Sequence, residues 1–187
     1  MKLFLCNIGL LLVSLCTLSG CFEIGTDIFG PFFHSNLIDN GSFEKDGYPT
    51  SFHWSGFEDT SRVRFATDVP AGGGKYSARL WNDCGAAGII STTIPADAGY
   101  HFYRLSVLAK SSMAFQRAQM VLYIQRNQRI VREKAISISD TLWTQSSLLD
   151  TLATTLGDTI GVTLLGDYSQ WSSGYTFVDL VSLVRVW

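Results

Sequence analysis

The side chains able to do chemistry are few, and they do not assemble into a familiar catalytic pattern. His34, His53 and His101 lie in unrelated segments and suggest neither a triad nor a metal cluster. There is no G-x-S-x-G elbow, no H-E-x-x-H pair, no paired-cysteine metal motif and no phosphate-binding loop. The two carboxylates of a glycosidase are defined by separation in space, so no motif speaks for or against them. Two features do carry chemical content. Along Gln116–Gln125 the odd positions Arg117, Gln119, Tyr123 and Gln125 set a phenol beside planar amides and a guanidinium. That mixture suits stacking on a flat ligand and hydrogen-bonding its hydroxyls, and it is equally the ordinary surface of a solvated sheet. Trp81 and Trp171, with Tyr168, are further aromatic candidates. The second feature is Asp179, which shares a strand face with Phe177, Val181 and Leu183 if alternation is unbroken. A carboxylate among such neighbours is costly to bury unless it is paired, for example with Arg79 or Arg185, caps a turn, or binds a cation.

The elements that must hold these residues are strands. Short β-like runs alternate with turn residues over Arg62–Thr67, Tyr76–Trp81, Gly88–Ile94, Tyr103–Lys110, Gln116–Gln125, Arg129–Ser137, Trp143–Leu149, Thr159–Leu165 and Tyr175–Val186. Turns are marked by Asp39-Asn40-Gly41, Asp46-Gly47-Tyr48-Pro49, Pro70-Ala71-Gly72-Gly73-Gly74, Arg126-Asn127-Gln128 and Gly166-Asp167. No stretch shows a helical period and there is no internal repeat. The expected architecture is an all-β, two-sheet antiparallel β-sandwich formed as one domain. In the Gln116–Gln125 run, Ala118, Met120, Leu122 and Ile124 form the core-facing stripe.

Composition narrows the partners. A formal charge of −2, with 16% charged and 13% aromatic residues, provides no global field for nucleic acid. Arg126, Arg129, Arg132 and Lys134 gather around one hairpin with only Glu133 opposing them. They would suit an acidic glycan or lipid headgroup, or simply protect an edge strand with charge. Of the four cysteines, Cys84 has no basic neighbour to activate it and reads as a small buried residue.

The N-terminus reads as an address. Lys2 precedes an apolar run, Leu3 to Leu15, too short to span a bilayer and suited to an export signal. The run ends in Leu18-Ser19-Gly20-Cys21, which resembles the lipobox of bacterial lipoprotein precursors. That resemblance implies a signal peptide over 1–20, lipidation of Cys21, a short apolar connector over 21–35 and a domain over 36–187. The implied location is the bacterial cell envelope, at the outer membrane in a Gram-negative cell. Cys6 and Cys16 would leave with the signal, so no disulfide framework is expected.

Three segments of the domain resemble the jelly-roll carbohydrate-binding modules attached to xylanases and endoglucanases, members of the galactose-binding-domain-like superfamily. They are Asn36-Leu37-Ile38-Asp39-Asn40-Gly41-Ser42-Phe43-Glu44 followed by Trp54, then Gly74-Lys75-Tyr76-Ser77-Ala78-Arg79-Leu80, and Thr176-Phe177-Val178-Asp179-Leu180-Val181-Ser182-Leu183. Tyr103–Lys110 fits the interior of such modules, and the match runs from Asn36 to Val186. The resemblance implies a structural Ca²⁺ joining the first and last strands. Glu44 and Asp179 would supply side chains and the Lys75 region a carbonyl oxygen, as a hard cation prefers. Leu180 stands where the family often has a second carboxylate. The resemblance further implies a non-catalytic protein that binds polysaccharide or cell-wall glycan through Arg117, Gln119, Tyr123, Gln125, Trp81 and Trp171, with Trp54 and Trp143 structural. The alternative is a structural or protein-interaction lipoprotein that keeps the sandwich without sugar binding.

Overall fold

Strand alternation organises the computed structural model, which describes residues 35–57, 62–82, 88–114, 118–166 and 173–186. Among these residues there are eleven strands: β1 (Glu44–Lys45), β2 (Tyr48–Pro49), β3 (Val63–Ala66), β4 (Ser77–Asn82), β5 (Ile89–Pro95), β6 (Gly99–Ser111), β7 (Ala118–Arg126), β8 (Arg129–Ile138), β9 (Thr144–Thr154), β10 (Thr159–Leu165) and β11 (Gly174–Arg185). They form a β1-β2 hairpin, a four-stranded sheet ordered β5-β10-β7-β8 and a five-stranded sheet ordered β3-β4-β11-β6-β9. Every pairing is antiparallel. The nine expected strands are all present. The β1-β2 hairpin was missed, because two-residue strands leave no alternation to read.

The core lies between the sheets. Ala118, Met120, Leu122 and Ile124 of β7 are buried while Gln119, Val121, Tyr123 and Gln125 are only half-buried on the outer face, as alternation requires. Ile90, Ile160 and Leu164 join the inner stripe of this sheet, and Leu80, Leu105, Val107, Leu148 and Leu152 line the other. Each such aliphatic side chain stabilises the fold by roughly 1.5–3 kcal/mol relative to exposure.

Alternation fails at one place. In β11, Phe177 pairs with Lys110 and Asp179 with Leu108, but the next pairs are Ser182 with Ser106 and Leu183 with Leu105. One extra residue is inserted there, and Leu180 adopts φ 48°. A bulge reverses the parity of everything beyond it. Asp179 therefore shares the outward side with Phe177, whereas Leu183 faces the core, contrary to the expectation of one common face.

The basic cluster at the β7–β8 hairpin is engaged within the fold. β8 and β9 are neighbouring sheet edges, joined by Arg132 to Asp150 (2.7 Å) and by Lys134 to the carbonyl of Leu149 (2.8 Å). Arg126 donates two hydrogen bonds to Asp158, each 2.8 Å. These contacts match the edge-protecting reading of the cluster. The Arg126 guanidinium and the Thr155 amide hold the Asp158 carboxyl far below the usual carboxylate range. A depressed carboxylate adds stability above its unfolded value and loses it as pH falls toward the folded one. Asp158→Asn is therefore expected to lower the melting temperature at pH 7 and to flatten its decline below pH ~4, as followed by circular dichroism.

Candidate functional site

The opening motif builds a hairpin that aims one carboxylate. The Asn40 side-chain amide donates to the carbonyls of Thr50 and Phe52, each at 2.9 Å, and the Trp54 indole donates to the Asn40 carbonyl at 2.8 Å. Phe43 is fully buried with its ring 5.2 Å from that of Trp54, so Trp54 is structural as expected. Gly41 lies so close to the Val181 carbonyl that any side chain would collide with it. With both neighbours fixed, Glu44 extends to the 73–76 loop, where its Oε1 accepts from the amides of Lys75 and Tyr76.

Asp179 arrives at the same loop from the far end of the chain. A methyl on Gly73 would strike Asp179 Oδ2, and one on Gly74, at φ 77°, would strike Glu44 Oε2. The two glycines thus form a cradle beside both carboxylates. Asp179 is 0% exposed, its Oδ1 accepts from the Leu180 amide at 2.7 Å, and its Oδ2 has no partner among the described residues. Burial, with a smaller contribution from the Glu44 charge, pushes its pKa up to about 7 against the Leu180 hydrogen bond. Neither arginine relieves it: Arg185 pairs with Asp97 (2.7 Å) and Arg79 lies over the Tyr175 ring. Two acidic side chains converge here, and no cluster of three or more His, Cys, Asp or Glu occurs among the described residues. An orphaned, buried carboxylate oxygen next to a second carboxylate and main-chain groups is a donor set that fits a hard cation. The contact of Lys75 with Glu44 runs through its amide nitrogen.

The candidate ligand residues divide between two surfaces. Gln119, Tyr123 and Gln125 stand together on the outer face of the four-stranded sheet. Tyr123 is opposite Gly161, and its ring occupies the space that a side chain there would fill. The ring therefore lies across the sheet, flanked by Thr159 and Gln125, whose side chains are 3.5 Å apart. Trp81 is on β4 in the other sheet, between the buried Leu80 and Asn82, and so faces outward on the opposite side of the sandwich. It cannot serve the same ligand as Tyr123. Strand alternation gives a side chain its face, but sheet membership depends on pairings between distant segments. Arg117 and Trp171, with Tyr168 and Cys84, lie outside the described residues.

Around Trp81 the sequence concealed an aromatic row. Trp81 is 6.4 Å from Tyr175, Tyr175 is 6.4 Å from Phe177, and Phe177 is 6.5 Å from Trp143. Trp143 is thus part of a half-buried outer surface rather than the core, and its indole donates to Asp68 at 3.2 Å. The rings come from three separate segments, and the β4–β11–β6–β9 pairing assembles them.

No family model matches the chain, and no curated protein matches it either. Solved structures do. The chain is similar to a bacteriophage CBA120 tailspike protein 4 enzymatically active domain, with TM-score 0.62, 18% identity and 81% of this chain aligned. It spans only 21% of that protein. It is also similar over nearly the whole of two smaller structures. A family 16 carbohydrate-binding module gives TM-score 0.56 and 21% identity, covering 80% of this chain and 99% of that one. TmCBM61, solved with β-1,4-galactotriose, gives 0.52 and 18%, covering 81% and 99%. The domain has the jelly-roll fold of carbohydrate-binding modules. At these identities the likeness establishes fold alone, and function must be argued from the site.

The Tyr123–Gly161 packing has a direct test. Gly161→Ala should cost about 1–3 kcal/mol by forcing the ring off the sheet. In a Tyr123→Ala background most of that cost should vanish, giving strong non-additivity in a double-mutant cycle of urea melts.

Proposed function

We propose that this chain is a lipid-anchored, non-catalytic glycan-binding protein whose jelly roll is stapled by Ca²⁺ and binds polysaccharide on the outer face of its four-stranded sheet. The observation that carries the reading is the Tyr123 ring laid over Gly161 beside Gln119 and Gln125. A ring fixed across a sheet offers a flat apolar surface to the C–H face of a pyranose, with little conformational entropy left to lose. The amides, with Thr159, supply planar donors and acceptors for hydroxyls. Similarity to a galactotriose-bound module and to the CBM22-1 xylan-binding domain from Paenibacillus barcinonensis Xyn10C (TM-score 0.55, 14% identity, covering 82% of this chain and 96% of that one) supports the glycan class. Tyr123→Ala is expected to abolish retardation on its polysaccharide in affinity electrophoresis while the domain still folds, with a melting temperature lowered only by the loss of the ring's packing on Gly161. Absence of retardation by any member of a broad glycan panel would defeat the reading.

Glu44 and Asp179 would hold the cation, with main-chain oxygens completing its shell. Bound there, Ca²⁺ supplies positive charge that lets both carboxylates remain ionised side by side. It would also link the opening segment to the closing strand and so stabilise the native state by mass action. Without a cation, Asp179 is raised from its unfolded value, so its contribution is full at low pH and declines as pH climbs toward about 7. The slope within that window approaches 1.4 kcal/mol per pH unit. In EDTA the wild type should therefore melt lower at pH 8 than at pH 5, and added Ca²⁺ should remove the decline. Asp179→Ala should show no response to EDTA, and an unchanged wild-type melt in EDTA would rule the cation out.

Cys21 would carry the diacylglycerol that keeps the domain at the envelope. Cys21→Ser should move the protein from the membrane fraction to the soluble fraction, and continued membrane retention would contradict lipidation at this residue.

A further inference from the structure

The outer face of the five-stranded sheet carries chemistry that the Tyr123 site does not use. Strand register places Arg79 directly opposite Phe177 on one side and directly opposite Arg64 on the other. The Arg79 guanidinium carbon is 4.6 Å from the centre of the Tyr175 ring. A guanidinium held over an aromatic face loses freedom of movement and can still offer its N–H donors to an anion. Among the described residues no carboxylate is ion-paired with Arg79. Lys110 differs, since it sits 5.3 Å from the Phe177 ring and 5.5 Å from that of Trp143 and is neutralised by Asp68 at 2.5 Å. Arg79 is thus a cation held in place by an aromatic ring with no carboxylate ion-paired to it among the described residues, in a chain whose overall charge is −2.

We propose that this face is a second binding surface, for acidic polysaccharide, in which the Arg79 guanidinium receives a sugar carboxylate and the row from Trp81 to Trp143 supports the rings. The guanidinium fork matches a planar carboxylate with two parallel hydrogen bonds. The adjoining aromatic rings, half-buried and fixed by one another, are suited to an extended chain of flat-faced sugars. Duplex nucleic acid requires a broad cationic field, which this face lacks once Lys110 is paired. The assignment is independent of the Tyr123 site, which lies on the other side of the sandwich.

The test uses the full-length protein in neutral detergent, with polygalacturonate, dextran sulfate, unsubstituted dextran and duplex DNA as probes in affinity electrophoresis. Polygalacturonate should retard the wild type most, and the retardation should weaken at high salt. Arg79→Gln should reduce that affinity at least about tenfold, the loss of a charge-assisted pair, at an unchanged melting temperature. Arg79→Lys, which keeps the charge and loses the fork, should also weaken binding. The proposal is overturned by absence of retardation on polygalacturonate, by wild-type affinity in both Arg79 variants, or by equal or stronger retention on dextran sulfate or DNA, which would report charge density alone.

Discussion

A carboxylate with no exposed surface and one orphaned oxygen sits where the last strand changes parity, facing a second carboxylate from the opening hairpin. The meeting of Asp179 with Glu44 ties together residues 135 positions apart, across a loop whose two glycines leave no room for side chains. Left uncompensated, it opposes folding by desolvation and by like charge. The surrounding structure is arranged to tolerate it: the Leu180 bulge turns an amide onto Oδ1, and the 73–76 loop turns two amides onto Glu44. The outer face of the five-stranded sheet adjoins this junction, because it anchors the opening segment against β11, the strand that presents Tyr175 and Phe177.

The same junction explains the otherwise plain residues of the opening motif. Asn40 satisfies two carbonyls, Trp54 returns a hydrogen bond to Asn40, Gly41 permits contact with Val181, and Phe43 fixes the hairpin in the core. Each does local work whose product is the direction of Glu44. Elsewhere the fold handles charge by pairing at its margins, through Arg126 with Asp158 and Arg132 with Asp150. These pairs close hairpin ends and sheet edges, so the basic cluster of the β7–β8 hairpin is largely committed inside the fold. Arg79, on the outer face of the five-stranded sheet, is held differently, by the Tyr175 ring.

Much of this was legible in the residues alone, and the reasons are local. Alternation along Gln116–Gln125 separates the buried stripe of β7 from its polar one, since successive side chains must point apart. Turn residues bound the nine longer strands, and the three ordered motifs pointed to the jelly roll and to Glu44 and Asp179 as neighbours. What the sequence withheld depended on contacts between distant segments. It did not reveal the bulge at Leu180, which separates Asp179 from Leu183, or the partition of Trp81 and Tyr123 onto opposite faces. It placed Trp143 among structural residues, because nothing local says that Phe177 and Lys110 will lie beside it. Period and turn chemistry act over a few residues and are written in the chain. Pairing order, register and the meeting of buried charges are set only when strands choose neighbours, and that choice decided which residues share a site.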